Sequence, residues 1–63
     1  MEKKVEKCIS VLNDCYNNDL ISSTSNLEDN MYELLEFIGD DIADEDEEEW
    51  RKAMHIAWGK FWD

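Results

Sequence analysis

Apolar residues recur at helical spacing in three separate segments of the chain. A helix repeats about every 3.6 residues, so apolar side chains three or four positions apart share one of its faces. In the first segment, roughly residues 3–17, this face comprises Val5, Cys8, Ile9, Leu12, Cys15 and Tyr16. The polar residues Asn17, Asn18 and Asp19 follow at once, so we expect the helix to end there.

The second segment, approximately residues 26–38, is preceded by a polar connector whose Leu20-Ile21 pair is expected to fold back onto the core. Ser25 and Glu28 fit a capping box, in which Glu28 reaches back to the cap amide. The apolar face comprises Leu27, Met31, Leu34, Leu35 and Ile38. Gly39 stands where a left-handed C-cap residue is common, yet Ile42 continues the apolar pattern. The sequence leaves open whether the helix stops at Gly39.

The third segment, approximately residues 45–61, follows Asp44, which with Glu47 resembles a helix N-cap and its third-position acid. Its apolar face comprises Trp50, Ala53, Met54, Ala57, Trp58 and Phe61. No segment shows the alternation of a β-strand. The prediction is an all-α fold, a small three-helix bundle that forms one domain over residues 1–63, with homodimerisation as a way to complete so small a core.

The two cysteines and the N-terminus bear on where the protein is found. Cys8 and Cys15 are two helical turns apart, which places them about 10 Å from each other. A disulfide requires Cα atoms within about 7 Å, so these two are expected to be reduced core residues. The N-terminal segment has no apolar stretch of a targeting signal, and no stretch approaches the length of a membrane span. We therefore expect a cytoplasmic protein, in the host cytoplasm if a phage encodes it.

The charge of the chain is strongly negative and unevenly distributed. The formal net charge is −11, and the stretch between Cys8 and Trp50 contains fourteen carboxylates and no Lys or Arg. Such a charge repels nucleic acid and anionic membrane surfaces. The expected partner is therefore a basic protein surface, such as a nucleic-acid-binding protein or a nuclease, and we expect no direct contact with nucleic acid or membrane.

Part of this charge forms a row on the second helix. At about 100° per residue the row lies opposite the apolar face, and its Cβ atoms follow one another every 5–6 Å or so. The row consists of Asp29, Glu33, Glu36 and Asp40. One interpretation is a solvated face of an acidic protein, and the other is a surface that binds a basic partner. Further candidate partner-binding residues continue the acidic surface towards the third helix, and they are Asp41, Asp44, Glu45 and Glu48. Capping and solvation explain Asp44 to Glu48 but do not require Asp40 and Asp41.

The sequence offers no recognisable catalytic or metal-binding pattern. The acidic run from Asp44 fails as an EF-hand loop, because its sixth position is Glu49 and its twelfth is His55. The cysteines lack the short spacing of zinc ligands. His55 is the only histidine, and a structural or surface role is expected of it. With no glycine-rich phosphate loop either, we expect no enzyme activity, no cofactor and no metal.

Several aromatic residues lie away from the centres of the apolar faces. Trp62 is expected to be exposed near the chain end, where a tryptophan is a candidate anchor for a partner. Ile56, Tyr32 and Phe37 also lie off their helices' apolar faces. This surplus apolar surface predicts either homodimerisation, which we prefer, or partner docking.

Three functions remain open. By analogy, a short acidic helical chain with one-sided charge has the profile of phage-encoded inhibitors that mimic nucleic acid, among them anti-CRISPR proteins. The same profile fits an immunity protein or antitoxin that neutralises a basic nuclease. A third possibility is a small regulatory adaptor that docks through its C-terminal aromatic residues.

Overall fold

Three helices account for most of the chain. The structure is a computed structural model that describes residues 2–39, 42 and 46–63, and the helices are α1 (Glu2–Asn17), α2 (Leu27–Ile38) and α3 (Glu47–Trp62). The pair α1 and α3 packs most extensively, and α2 packs against both over a smaller contact. The predicted all-α three-helix bundle is confirmed, and each helix end falls within two residues of its predicted position.

The core contains only apolar side chains and both cysteines. All three helices contribute to it, and the most deeply buried residues are Cys8, Leu12, Cys15, Leu34 and Met54. In the described part of the chain no polar or charged residue is buried. The apolar faces read from the sequence therefore do meet in one common core.

The buried face of α1 is rotated from the predicted one. Val11, which the prediction omitted, is buried, whereas Ile9 is half-buried and Tyr16 is 46% exposed. Ile9 and Val11 lie on opposite edges of the apolar face, so helical periodicity alone could not decide between them. The positions of α2 and α3 around α1 select the Val11 edge.

A left-handed residue ends α1 and sets the path of the connector. Asp19 has a φ of +61° and donates its N–H to Tyr16 O at 3.1 Å, while the Leu20 N–H donates to Cys15 O at 2.9 Å. These two bonds are those of a Schellman motif. The turn buries Ile21 and leaves Leu20 51% exposed. Of the Leu20-Ile21 pair, which was expected to fold back onto the core, only Ile21 does so.

The N-cap of α2 is Asn26, and the predicted capping box is wrong. Asn26 Oδ1 accepts a hydrogen bond from the Glu28 N–H at 2.8 Å. Ser25 instead accepts a bond from the Ser22 N–H, which stabilises the preceding turn. The Glu28 carboxylate does not return to the cap, because it pairs with His55 of α3.

The end of α2 is settled at Ile38. Gly39 has a φ of +63° and donates its N–H to Leu35 O, and its ψ of −121° lies outside the left-handed helical region. The Ile42 N–H then donates to Gly39 O at 3.1 Å, and the Ile42 side chain packs against the core. Ile42 thus continues the apolar pattern from beyond the helix.

The start of α3 lies at Glu47, two residues later than predicted. Asp46 occupies the N-cap position, and its side chain makes no capping hydrogen bond. Asp44, the predicted N-cap, lies outside the described residues. Glu47, Glu48 and Glu49 fill the first turn, where the positive end of the helix dipole favours carboxylates.

The cap assignment leads to a first prediction. Replacing Asn26 by Ala removes the acceptor for the Glu28 N–H and should lower the free energy of unfolding by about 1 kcal/mol. Asn26→Asp keeps an acceptor at the same place and should retain the stability of the wild type. Urea denaturation followed by circular dichroism measures both variants. No loss in Asn26→Ala, or a loss in Asn26→Asp equal to that in Asn26→Ala, would contradict this cap assignment.

Candidate functional site: the acidic face of α2

Three carboxylates occupy the outer face of α2 and are here called the acidic face. They are Asp29, Glu33 and Glu36, and all three side chains are exposed. They lie opposite the buried residues of the same helix, which are Leu27, Met31, Leu34, Leu35 and Ile38. The predicted outward direction of this row is confirmed for these three. The fourth predicted member, Asp40, lies outside the described residues, as do Asp41, Asp44 and Glu45.

The ion pairs between described residues use other carboxylates. Lys4 Nζ of α1 lies 3.3 Å from Glu49 Oε2 of α3, and it also lies 5.6 Å from the centre of the Trp50 ring. Within α3, Arg51 pairs with Glu47 at 3.6 Å. Across α2 and α3, His55 Nε2 lies 3.1 Å from Glu28 Oε1. None of these contacts involves Asp29, Glu33 or Glu36.

Two exposed aromatic residues border the acidic face on opposite sides. Tyr32 is 72% exposed and Phe37 is 57% exposed, as expected for positions off the apolar face. Tyr32 forms a hydrogen bond with Glu36, and this bond together with the negative charge of Glu36 raises the pKa of Tyr32. Seen end-on, α2 presents carboxylates at the centre of its outer face and an aromatic ring at each edge.

Each aromatic ring forms part of a shallow groove. The first groove, between α2 and α3, has a volume of about 490 Å³, and its lining includes Tyr32, Glu36, Glu47 and Arg51. The second groove, between α2 and the connector, has a volume of about 420 Å³ and is lined by Leu20, Glu33, Glu36 and Phe37. Glu36 therefore borders both grooves. The sequence did not indicate the second groove. Leu20 is positioned by a left-handed turn at Asp19, and no glycine at that position marks the turn in the sequence.

Glu48, the remaining acidic candidate, is exposed in the first turn of α3. It lies two helical turns before His55 and so on the same side of α3. That side borders α2, since His55 contacts Glu28. Glu48 adds negative charge near the edge of α2, but no contact among the described residues joins it to the acidic face.

Trp62 is half-buried, so its expected exposure is wrong. Its ring centre lies 5.6 Å from that of Tyr16, 5.6 Å from that of Trp58 and 4.8 Å from that of Phe61. Its indole Nε1 is buried and has no hydrogen-bond partner within the described residues. Periodicity within α3 could not reveal this packing, because Tyr16 comes from the end of α1. A role for Trp62 as a partner anchor stays a prediction, and so does homodimerisation.

Both cysteines are free and buried, as core residues should be. Burial raises the pKa of the Cys8 thiol to about 11. The pKa of Cys15 is also raised, mainly by burial and further by the charges of Asp14 and Glu33. A thiol reacts as its thiolate, so neither residue is a reactive nucleophile near neutral pH.

Neither a metal site nor a membrane span is found in the described residues. No three His, Cys, Asp or Glu side chains in residues 2–39, 42 and 46–63 are grouped so that they could hold a metal ion. Within the same ranges, no helix is both long and apolar enough to cross a bilayer.

The chain matches no family model, no curated protein and no solved structure. Function is therefore inferred from the geometry and charge of the molecule itself.

The buried thiol gives a second prediction. Because the folded pKa of Cys8 is raised from 9.0 to about 11, its contribution to stability is complete below pH 9 and is lost as the pH rises towards 11. Over this range the wild type should lose free energy of unfolding more steeply than Cys8→Ala, by at most about 1.4 kcal/mol per pH unit. Urea denaturation of both proteins across the range measures the two slopes. Identical slopes would contradict a deprotonation cost at Cys8.

Proposed function

We propose that this chain is a binding protein, not an enzyme, that occupies a basic nucleic-acid-binding site on a partner protein. The acidic face of α2 makes the contact. The observation that carries the proposal is the row of exposed carboxylates at Asp29, Glu33 and Glu36, which the ion pairs between described residues leave unneutralised.

The row has the chemistry that a phosphate-binding surface recognises. Lys and Arg side chains that neutralise phosphates also form charge-assisted hydrogen bonds with carboxylates, and Arg can do so with two parallel bonds. The helix holds its carboxylates about 5–6 Å apart at Cβ, so the charge is presented on a rigid element. A rigid surface loses little conformational entropy when it binds.

The cost of the row favours a role in binding over solvation alone. Like charges three and four residues apart destabilise a helix by a few tenths of a kcal/mol per pair. The remainder of the chain is already strongly acidic, so solubility does not require three more carboxylates on one face. A Lys or Arg in place of Glu33 would remove both repulsive pairs and keep the surface polar.

The position of Trp62 bears on the competing adaptor function. An adaptor that docks through its C-terminal aromatic residues needs an accessible ring, whereas Trp62 is half-buried against Tyr16, Trp58 and Phe61. The immunity-protein alternative uses the same acidic face and differs only in the partner, which would be a nuclease. We therefore favour a nucleic-acid mimic as the general function.

The proposal is tested by removing the charge of the acidic face. The variant Asp29→Asn/Glu33→Gln/Glu36→Gln keeps side-chain size and should fold as the wild type does. Proteins retained from the source organism's lysate by the immobilised chain are identified, and their binding to duplex DNA and RNA is measured with and without the free chain. The wild type should displace nucleic acid from at least one of them. The triple variant should associate with it about tenfold more slowly or worse, and added salt should weaken wild-type binding steeply.

A matched control separates position from net charge. Glu2→Gln/Glu6→Gln/Asp63→Asn removes the same number of exposed carboxylates near the chain termini. This control should displace nucleic acid about as well as the wild type, within roughly twofold, because its acidic face is intact. Three results would overturn the proposal. The first is a control variant that loses as much displacement activity as the triple variant. The second is that every retained protein keeps its nucleic acid at a saturating concentration of the wild-type chain. The third is that the wild type retains no protein in preference to the triple variant.

A further inference from the structure

The groove beside the connector combines apolar walls with a carboxylate rim. Leu20 and Phe37 are 51% and 57% exposed, and they line it together with Glu33 and Glu36. Glu33 and Phe37 are four residues apart on α2, so the ring lies next to the carboxylate. The Schellman turn at Asp19 places Leu20 across from them. We call this the Leu20–Phe37 groove.

The opposite groove of the same helix already contains a cation from the chain itself. Arg51 lines the groove between α2 and α3 together with Tyr32 and Glu36, and its guanidinium lies 3.6 Å from Glu47. An aromatic ring, acidic residues and a guanidinium thus occur together on that side of the acidic face. The Leu20–Phe37 groove has the ring and the carboxylates, but no Lys or Arg is among its lining residues.

We propose that the Leu20–Phe37 groove receives an arginine side chain of the partner protein. The proposal rests on the function proposed above and specifies the partner chemistry at one end of the acidic face. Leu20 and Phe37 form the walls of the groove, which contact the aliphatic stem and the guanidinium plane of this arginine. Glu33 and Glu36 accept the guanidinium hydrogen bonds.

Arginine fits this groove better than other side chains do. Its stem covers apolar surface while its charged end stays with the carboxylates, and its planar guanidinium stacks on an aromatic ring. A purely apolar side chain would desolvate Glu33 and Glu36 without giving them a partner. A lysine satisfies the charge but lacks the planar group that stacks and forms paired hydrogen bonds.

Capped hexa-arginine and hexalysine peptides provide probes of equal charge for the intact chain. We expect the arginine peptide to bind about threefold more tightly or better, because of stacking on Phe37. Phe37→Leu should bring the two affinities to within about twofold of each other, because it weakens binding of the arginine peptide more than binding of hexalysine. Titrations followed by nuclear magnetic resonance measure the dissociation constants and show whether the side-chain signals of Leu20 and Phe37 shift.

Tyr32→Leu is the matched control, because Tyr32 is the exposed ring on the other edge of the acidic face. This variant should keep the preference for arginine. The proposal is overturned if the wild type binds both peptides equally, or if Tyr32→Leu loses the preference as fully as Phe37→Leu does. Either result leaves the displacement of nucleic acid by the acidic face intact. Conversely, failure to displace nucleic acid, with the preference at Phe37 retained, would overturn the proposed function and not the arginine groove.

Discussion

The burial of apolar side chains is the constraint on which the rest of this molecule depends. A chain of 63 residues has little surface to remove from water, so each helix must commit one whole face to the common core. The result is a core without a buried charge in the described residues, built mainly on the contact between α1 and α3. The charged residues of α2 are thereby directed to its outer face. Because the chain between Cys8 and Trp50 has no Lys or Arg, that face carries only negative charge.

The core requires a polar outer face on α2 but does not require a face of one sign. The other two helices carry both positive and negative side chains, which form ion pairs. Lys4 pairs with Glu49, and Arg51 pairs with Glu47. The acidic face has no such pairs with other described residues, and the repulsion within it is a cost that folding alone does not explain. This contrast between helices of the same small molecule is the main physical argument for a basic partner.

Periodicity along each helix predicted the features that depend on one helix alone. The three apolar faces, the outward row of carboxylates, and the exposure of Tyr32 and Phe37 all follow from the angle between successive residues. The features that depend on contacts between elements could not be obtained in this way. Tyr16 of α1 covers Trp62 of α3, and the neighbours of α1 bury Val11 instead of Ile9.

Turn conformation limited the prediction in the same way. The sequence marked Asn17, Asn18 and Asp19 as a helix end but not the left-handed conformation of Asp19 that exposes Leu20 and buries Ile21. The Leu20–Phe37 groove joins this turn to α2, so it could be found only in the structure. The acidic face could be predicted, whereas the apolar surface that accompanies it could not. This difference matters because charge alone attracts any basic partner, and the shape beside the charge is what distinguishes one cation from another.

The repulsion within the acidic face links the stability of the free protein to its affinity for the proposed basic partner. Added salt screens like charges, so it relieves the cost of the acidic face in the free protein. The same screening weakens attraction between this face and a basic surface, and it leaves the apolar core largely unaffected. Stability and affinity should therefore respond to salt in opposite directions. A face that served only solvation would give the gain in stability with salt but no salt-dependent loss of affinity. Measuring both therefore distinguishes a solvated face from a surface that binds a basic partner, which the sequence could not do.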